Sequence, residues 1–493
     1  MSYQKLAQHQ QQLHRLAHLG AICGWDQAAV MPEGGNEARA EAMAELEVLI
    51  HGKRTAPQIA DWIAAAEGEP LDELQGANLR EIKRHWQDAS LLPSDLVEAL
   101  SLAGSKCEHA WRSQRKQNDW AGFAPNLKEV VTLSREVASL RAEALDVRPY
   151  DAMLALYEPG MTSARLDGIF GDLSAWLPNL IQTVSARQQS DELLAPQGPF
   201  PIATQQALGK EVMALLGFDF AHGRLDVSSH PFCGGVPTDV RITTRYNEQE
   251  FVSSLMGIVH ETGHARYEQG LPRNLLGQPV AEARSMGIHE SQSLFCEMQL
   301  GHDPAFLNLI APRIQHHFGT QAALAPANLE KLYQRVEPGL IRVDADEVTY
   351  PAHVILRYEL ERDLIEGRIE VADIPGLWDM KMQQWLGLST KDNYQNGCMQ
   401  DIHWTDGSFG YFPSYTLGAM YAAQLRFALE RSLGETLGNL VAQGRLAEVF
   451  GWLQQNLWQH GSAFDTDELI ARATGEALNP QWLRKHLEQR YLR

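Results

Sequence analysis

PNLKEVVTLSREVASLRAEAL, residues 125–145, decides the fold class. Leu127, Val130, Leu133, Val137 and Leu140 recur at intervals of three and four residues, the repeat that places side chains on one face of an α-helix. Ala, Leu, Glu and Arg fill the rest, and all are strong helix formers. The same pattern runs through NEARAEAMAELEVLIHG (36–52) and ETLGNLVAQGRLAEVFGWLQQNLW (435–458). Short Pro/Gly breaks separate such segments, at MPEGG (31–35), LAPQGPFP (194–201) and GLPRNLLGQP (270–279). One stretch differs. SSHPFCGGVPTDVRITTRY (228–246) carries turn residues and then a β-branched run at 240–244, so it reads as a small β-ribbon among helices. The expected class is mainly α with that ribbon. No linker, repeat or low-complexity tract divides the chain, and 1–493 is expected to be a single domain.

Bulk properties narrow the function. Over 493 residues, 42 Lys plus Arg stand against 62 Asp plus Glu, a formal net charge of −20. So acidic a surface repels phosphate backbones, and nucleic acid is not expected as a partner. No run of about 18 apolar residues suggests a membrane span, and the polar start MSYQKLAQHQQQLHRLAHLG lacks the apolar core of a secretory signal. The five cysteines have no CxxC spacing, which fits thiols in a reducing cytoplasm.

The chemistry is concentrated in EFVSSLMGIVHETGHARYEQG (250–270). His260-Glu261-Thr262-Gly263-His264 has the form HExxH. Histidines at i and i+4 lie one helical turn apart on one face, where both imidazoles reach a single cation. Glu261 is rotated by about 100° from His260, so it flanks the cation and is placed to take a proton from water there. Gly263 costs about 1 kcal/mol in a helix interior, which implies close approach of a neighbour or ligand. The plain alternative is a core helix with two satisfied histidines.

A catalytic zinc needs a third protein ligand and an open position. The extended form HExxHxxGxxH is excluded by Tyr267 and Gly270. A carboxylate on a following helix is then expected, and Glu282, Glu290 and Glu297 all share one helical face by spacing. Glu290 is favoured because His289, Ser291 and Gln292 surround it with groups able to support a ligand.

Several motifs in order identify a family. His230-Pro231-Phe232 matches HPF, Asp239 to Thr243 matches DxRxT, His289 to Gln292 matches HESQ, Ile341 to Asp346 matches IRxxAD, and Gly397 to Trp404 matches GxxQDxHW. With HExxH, and with an opening GWDQAAVMPEGGNEAR of the same kind, the chain resembles the carboxypeptidase Taq family of metallocarboxypeptidases over nearly its whole length. The resemblance implies a mostly helical fold with a deep central groove; along the chain, about 1–200 reads as helical scaffold and groove wall, about 200–420 carries the motifs, and about 420–493 supplies C-terminal helices. It implies ligands His260, His264 and Glu290 for a divalent metal, Zn2+ or Co2+. It implies removal of single C-terminal residues from peptides with broad specificity, and a homodimer.

An exopeptidase must recognise a free α-carboxylate, which the planar fork of arginine can bind bidentately. Arg241 and Arg342 lie in motifs and are flanked by aspartates, so at least one is expected to bind the substrate terminus. The oxyanion of the tetrahedral intermediate needs further donors. His403 and Tyr411, in QDIHWTDGSFGYFPSY, are the candidates, with Tyr415 in reach and His230 able to line the groove. The rival readings are an oligopeptidase cutting internal bonds at the same metal site, and a non-catalytic helical scaffold.

Overall fold

The expected helices form, and their ends show why. In the computed structural model, which describes residues 1–492, the 125–145 segment lies in a helix Trp120–Leu145. Asp119 caps that helix by accepting from Gly122 N at 2.9 Å. Pro125 lies inside it, past the first turn, and cannot donate to the carbonyl of Ala121. The 36–52 segment forms the helix Asn36–Arg54. The 435–458 segment does not run through. It forms Leu437–Ala442 and Leu446–Asn456, broken at Gly444, whose φ of +72° suits glycine.

The ribbon is larger than its sequence suggested. Three strands, β1 (Gly223–Val227), β2 (Phe232–Val236) and β3 (Asp239–Thr244), form one sheet in the order β1-β3-β2. β3 pairs in parallel with β1 and antiparallel with β2. β1 escaped the pattern because GRLDV carries two charges, which pair with each other as Arg224 and Asp226. Val240 and Ile242 of β3 face one way and pack with Ile258 and Ala265 of the helix Val252–Gly270. The strand's alternation therefore turns Arg241 to the opposite face. There its guanidinium lies 4.2 Å from the ring centroid of Trp25, on the N-terminal helix Ser2–Ala29.

Most buried apolar side chains belong to one contiguous cluster running from Leu96 to Tyr491, with a smaller one around Leu6, Ile59, Ile63 and Ile82 near the N-terminus. No described helix is long and apolar enough to cross a membrane.

Candidate metal centre and substrate cavity

The helix Val252–Gly270 is pinned on its apolar side by buried Leu255, Ile258, Val259 and Ala265, which leaves His260 and His264 toward a cavity of about 730 Å³. Across it lies the helix Met286–Leu294. Ser285 caps that helix by accepting from Ile288 N at 3.2 Å, a contact of about 1 kcal/mol. Beneath its first turn the buried Glu158 accepts from Gly287 N and from Ser414 Oγ. The two helices approach at backbone distance. A Cβ on Gly263 would lie 2.4 Å from the carbonyl oxygen of Gln292; from a third helix, Pro413–Leu433, a Cβ on Gly418 would lie 2.8 Å from Glu290 Cβ. Glycine at 263 thus serves a neighbour, as its helix-breaking cost implied.

That approach brings the carboxylate of Glu290 to 3.9 Å from His260 Nε2 and 3.4 Å from His264 Nε2. One ligand atom from each of the three residues lies within 4.8 Å of the others, the one such cluster among the described residues. The other ring nitrogens are engaged. His260 Nδ1 is 2.7 Å from Glu297, on a π-helical turn Phe295–Gly301. His264 Nδ1 is 2.6 Å from His289 Nδ1, and His289 Nε2 is 2.8 Å from Glu268. With Nε2–H donating to Glu268, His289 Nδ1 accepts from His264 Nδ1–H. Both Nε2 lone pairs of the metal-facing histidines are then left for a cation. Two imidazoles and a carboxylate with an open side form a donor set that fits a divalent catalytic metal. Glu282 stands elsewhere, its side chain 60% exposed near His85.

Glu261 lines the same cavity, 7% exposed, and its Oε2 has no hydrogen-bond partner. Burial pushes its carboxyl up to about 7, against His260 and with Glu290 adding. For Glu290, burial works against the charge, but His264 and His260 outweigh it and the net shift is downward.

The opposite wall carries Arg342, Tyr350, Tyr411 and Tyr415. Arg342 is 6% exposed and held through three of its nitrogens. Its Nε and Nη2 donate to Asp401 Oδ1 at 3.1 and 2.8 Å, and its Nη1 donates to the Tyr350 hydroxyl at 2.8 Å. Asp401 also accepts from Arg357 at 2.8 Å, and Arg357 is sandwiched by Trp404 and Phe412 at 3.8 and 4.1 Å. The Tyr411 hydroxyl is pushed well above its ordinary value by burial, so it remains a donor. His403 stands one layer behind. Its Nε2 is 3.4 Å from the Tyr415 hydroxyl, and its ring stacks on Tyr411 at 5.7 Å. Burial and nearby Arg357 hold the His403 imidazole down at about 3, hence neutral.

Comparison with known proteins decides the family. A model described as carboxypeptidase Taq (M32) metallopeptidase matches residues 5–491. The chain belongs to that family. Thermostable carboxypeptidase 1 of Thermus thermophilus is 39% identical to it over 99% of this chain and 98% of that one. Carboxypeptidase 1 of Bacillus subtilis is 34% identical over 97% and 96%. Among solved structures, Trypanosoma cruzi metallocarboxypeptidase 1 superposes with a TM-score of 0.98 at 48% identity, covering 99% of each chain. This carboxypeptidase Taq relative is thus a metal-dependent carboxypeptidase, a hydrolase of peptide bonds, and its family implies a divalent metal.

Within this metallocarboxypeptidase the structure gathers His260, His264, Glu290, Glu261, Arg342, Tyr411 and Tyr415 around one cavity. Three sequence candidates lie outside that lining. Arg241 is bonded to Asp239 through Nε and Nη2 at 3.0 and 2.7 Å and rests on Trp25. His230 is exposed, while the next two residues, Pro231 and Phe232, do line the cavity. His403 is the third. Sequence reasoning missed Tyr350 and Glu268. Tyr350 follows IRxxAD by four residues at a helix start, a signal that the motif's own boundaries hid.

Proposed function

We propose that His260, His264 and Glu290 hold one divalent cation, Zn2+ in the resident state with Co2+ able to replace it, and that Glu261 is the general base. The observation that carries this is the convergence of the three ligand atoms within 4.8 Å beside an unpartnered Glu261 Oε2. A cation there supplies Lewis acidity to a scissile carbonyl and to water. Glu261 Oε2 takes the proton of the attacking water and then delivers it to the leaving nitrogen. Tyr411 and Tyr415 donate to the oxyanion from the opposite wall, and His403 orients the Tyr415 hydroxyl from behind.

Arg342 receives the terminal carboxylate of the peptide. The support is its place in the cavity wall with a guanidinium already fixed by Asp401 and Tyr350. Arg241 braces the sheet against the N-terminal helix instead. Substrates are then peptides with a free C-terminus, shortened one residue at a time with broad side-chain tolerance. The chain is proposed to act as a cytoplasmic homodimer, one domain per protomer. Its five unpaired cysteines suit a reducing compartment. The dimer rests on the family resemblance, and light scattering against the 55.1 kDa chain mass tests it.

The experiment that tests the site is metal analysis and product mass spectrometry together. One metal per chain is expected in the purified protein, none in Glu290→Ala. A peptide pool should yield one-residue ladders that stop on chelation and resume with Zn2+ or Co2+. Internal fragments in their place would support the oligopeptidase reading.

A further inference from the structure

The C-terminal helix Gln481–Tyr491 packs behind the cavity wall, with three donors aimed at one carboxylate. Glu347, 1% exposed by its side chain, accepts from His486 Nε2 at 2.5 Å, Arg490 Nη1 at 2.9 Å and the Tyr491 hydroxyl at 2.9 Å. Glu347 belongs to the loop that begins at Arg342 and ends at Tyr350, both cavity-wall residues. Asp346 stiffens the same loop by accepting from Val348 N and Thr349 N. Arg490 Nη1 also donates to the carbonyl of Met298 at 2.5 Å. Met298 is on the π-helical turn, next to the Glu297 that holds His260. His486 is fixed for its part. Arg426 can only donate, to His486 Nδ1 at 3.1 Å, so Nε2 carries the proton given to Glu347.

We infer that Arg490 and Glu347 form a clasp that fixes the Arg342 loop against the Glu297 turn, so that the C-terminal helix sets the distance between carboxylate recognition and the metal ligands. They are positioning residues, and the inference rests on the reading of Arg342 as the carboxylate receptor. A loosened clasp displaces Arg342 relative to the scissile bond, and misplacement of about 1 Å costs up to about 100-fold.

The test measures KM and kcat on a free-acid peptide, with the calorimetric Kd of a reduced-amide dipeptide bearing a free carboxylate. Arg490→Met should raise KM and Kd about tenfold and lower kcat/KM by up to about 100-fold. Arg490→Lys, which keeps the charge without the planar fork, should restore part of the loss. Tyr491→Phe removes a single donor at constant shape, and should raise both constants about threefold without unfolding the chain. Arg342→Ala is measured beside them. If it raises KM while folded Arg490→Met and Tyr491→Phe bind normally, the clasp is overturned alone. If Arg342→Ala itself binds normally, the carboxylate reading falls and the clasp with it. A drop in kcat that follows the folded fraction, with KM and Kd unchanged, also overturns it.

Discussion

Gly263 and Gln292 meet where no side chain fits: a Cβ at 263 would stand 2.4 Å from the Gln292 carbonyl oxygen and 2.8 Å from Ser293 Cα. Both obstacles are backbone, so relief requires the two helices to part. Gly263→Ala should destabilise the fold by about 1–3 kcal/mol. It should also weaken metal binding, because Glu290 rides on the displaced helix. Chelator competition and thermal melting check this. An unchanged metal affinity would detach the close approach from the ligand geometry.

Glu261→Gln preserves shape but cannot accept a proton. Metal content should stay at one per chain, and kcat should fall on the order of 10²–10⁴-fold. Wild-type turnover in that variant would remove Glu261 from the mechanism.

His289 and Glu268 set the orientation of His264 through contacts of 2.6 and 2.8 Å. His289→Phe should weaken metal affinity about 10–100-fold. Glu268→Gln, which still accepts through its amide oxygen, should cost less. Equal affinities across wild type and both variants would show that His264 is held by packing alone.

The two arginines should part company on acid and amide peptides. Arg342→Ala should raise KM for free-acid peptides by an amount equivalent to about 2–5 kcal/mol. On amidated peptides it should change little. Arg241→Ala should act through the sheet and Trp25, losing stability and affecting acid and amide alike. A wild type that cleaves the amide as readily as the acid would leave Arg342 without its role.

Stability should decline in mild acid. His353 is 3% exposed, and burial, with Arg342 adding, lowers its imidazole from 6.5 to about 4. Asp401 opposes that shift without reversing it. Below about pH 6.5 the unfolded chain binds this proton and the folded chain does not. Unfolding free energy should therefore fall from pH 6.5 to 4, by roughly 3 kcal/mol for this group. His486, also buried and lowered to about 4, acts in the same direction. Denaturant titrations across that range measure the slope, and His353→Gln should flatten it. An identical slope in the variant would assign the acid limb to other groups.

Much of the metal centre was legible in the sequence because its geometry is local. His260 and His264 share a face by helical period, and Glu290 sits among polar neighbours in an otherwise apolar segment. The choice between Arg241 and Arg342 was not legible. It depends on which face of β3 meets the helix Val252–Gly270, and on Trp25, more than 200 residues upstream. Spacing alone could not separate Glu290 from Glu297 either. Both reach the histidines, one toward Nε2 and the other toward Nδ1. β1 was hidden by its charge pair, and the break at Gly444 by an unbroken run of helix formers around it.

Arg342 has three of its five N–H donors committed to Asp401 and Tyr350 before any peptide arrives, and Asp401 is itself tied to a buried Arg357. In the carboxylate-binding role proposed for it, an anchor of that kind would work as a ruler. It would measure one residue inward from whatever carboxylate it meets, and each cut would expose a new carboxylate identical to the last. Digestion would then have no built-in stopping point along the chain. It would end where a side chain or a turn in the peptide refuses the measured length, and the lengths left over would record the shape of the cavity.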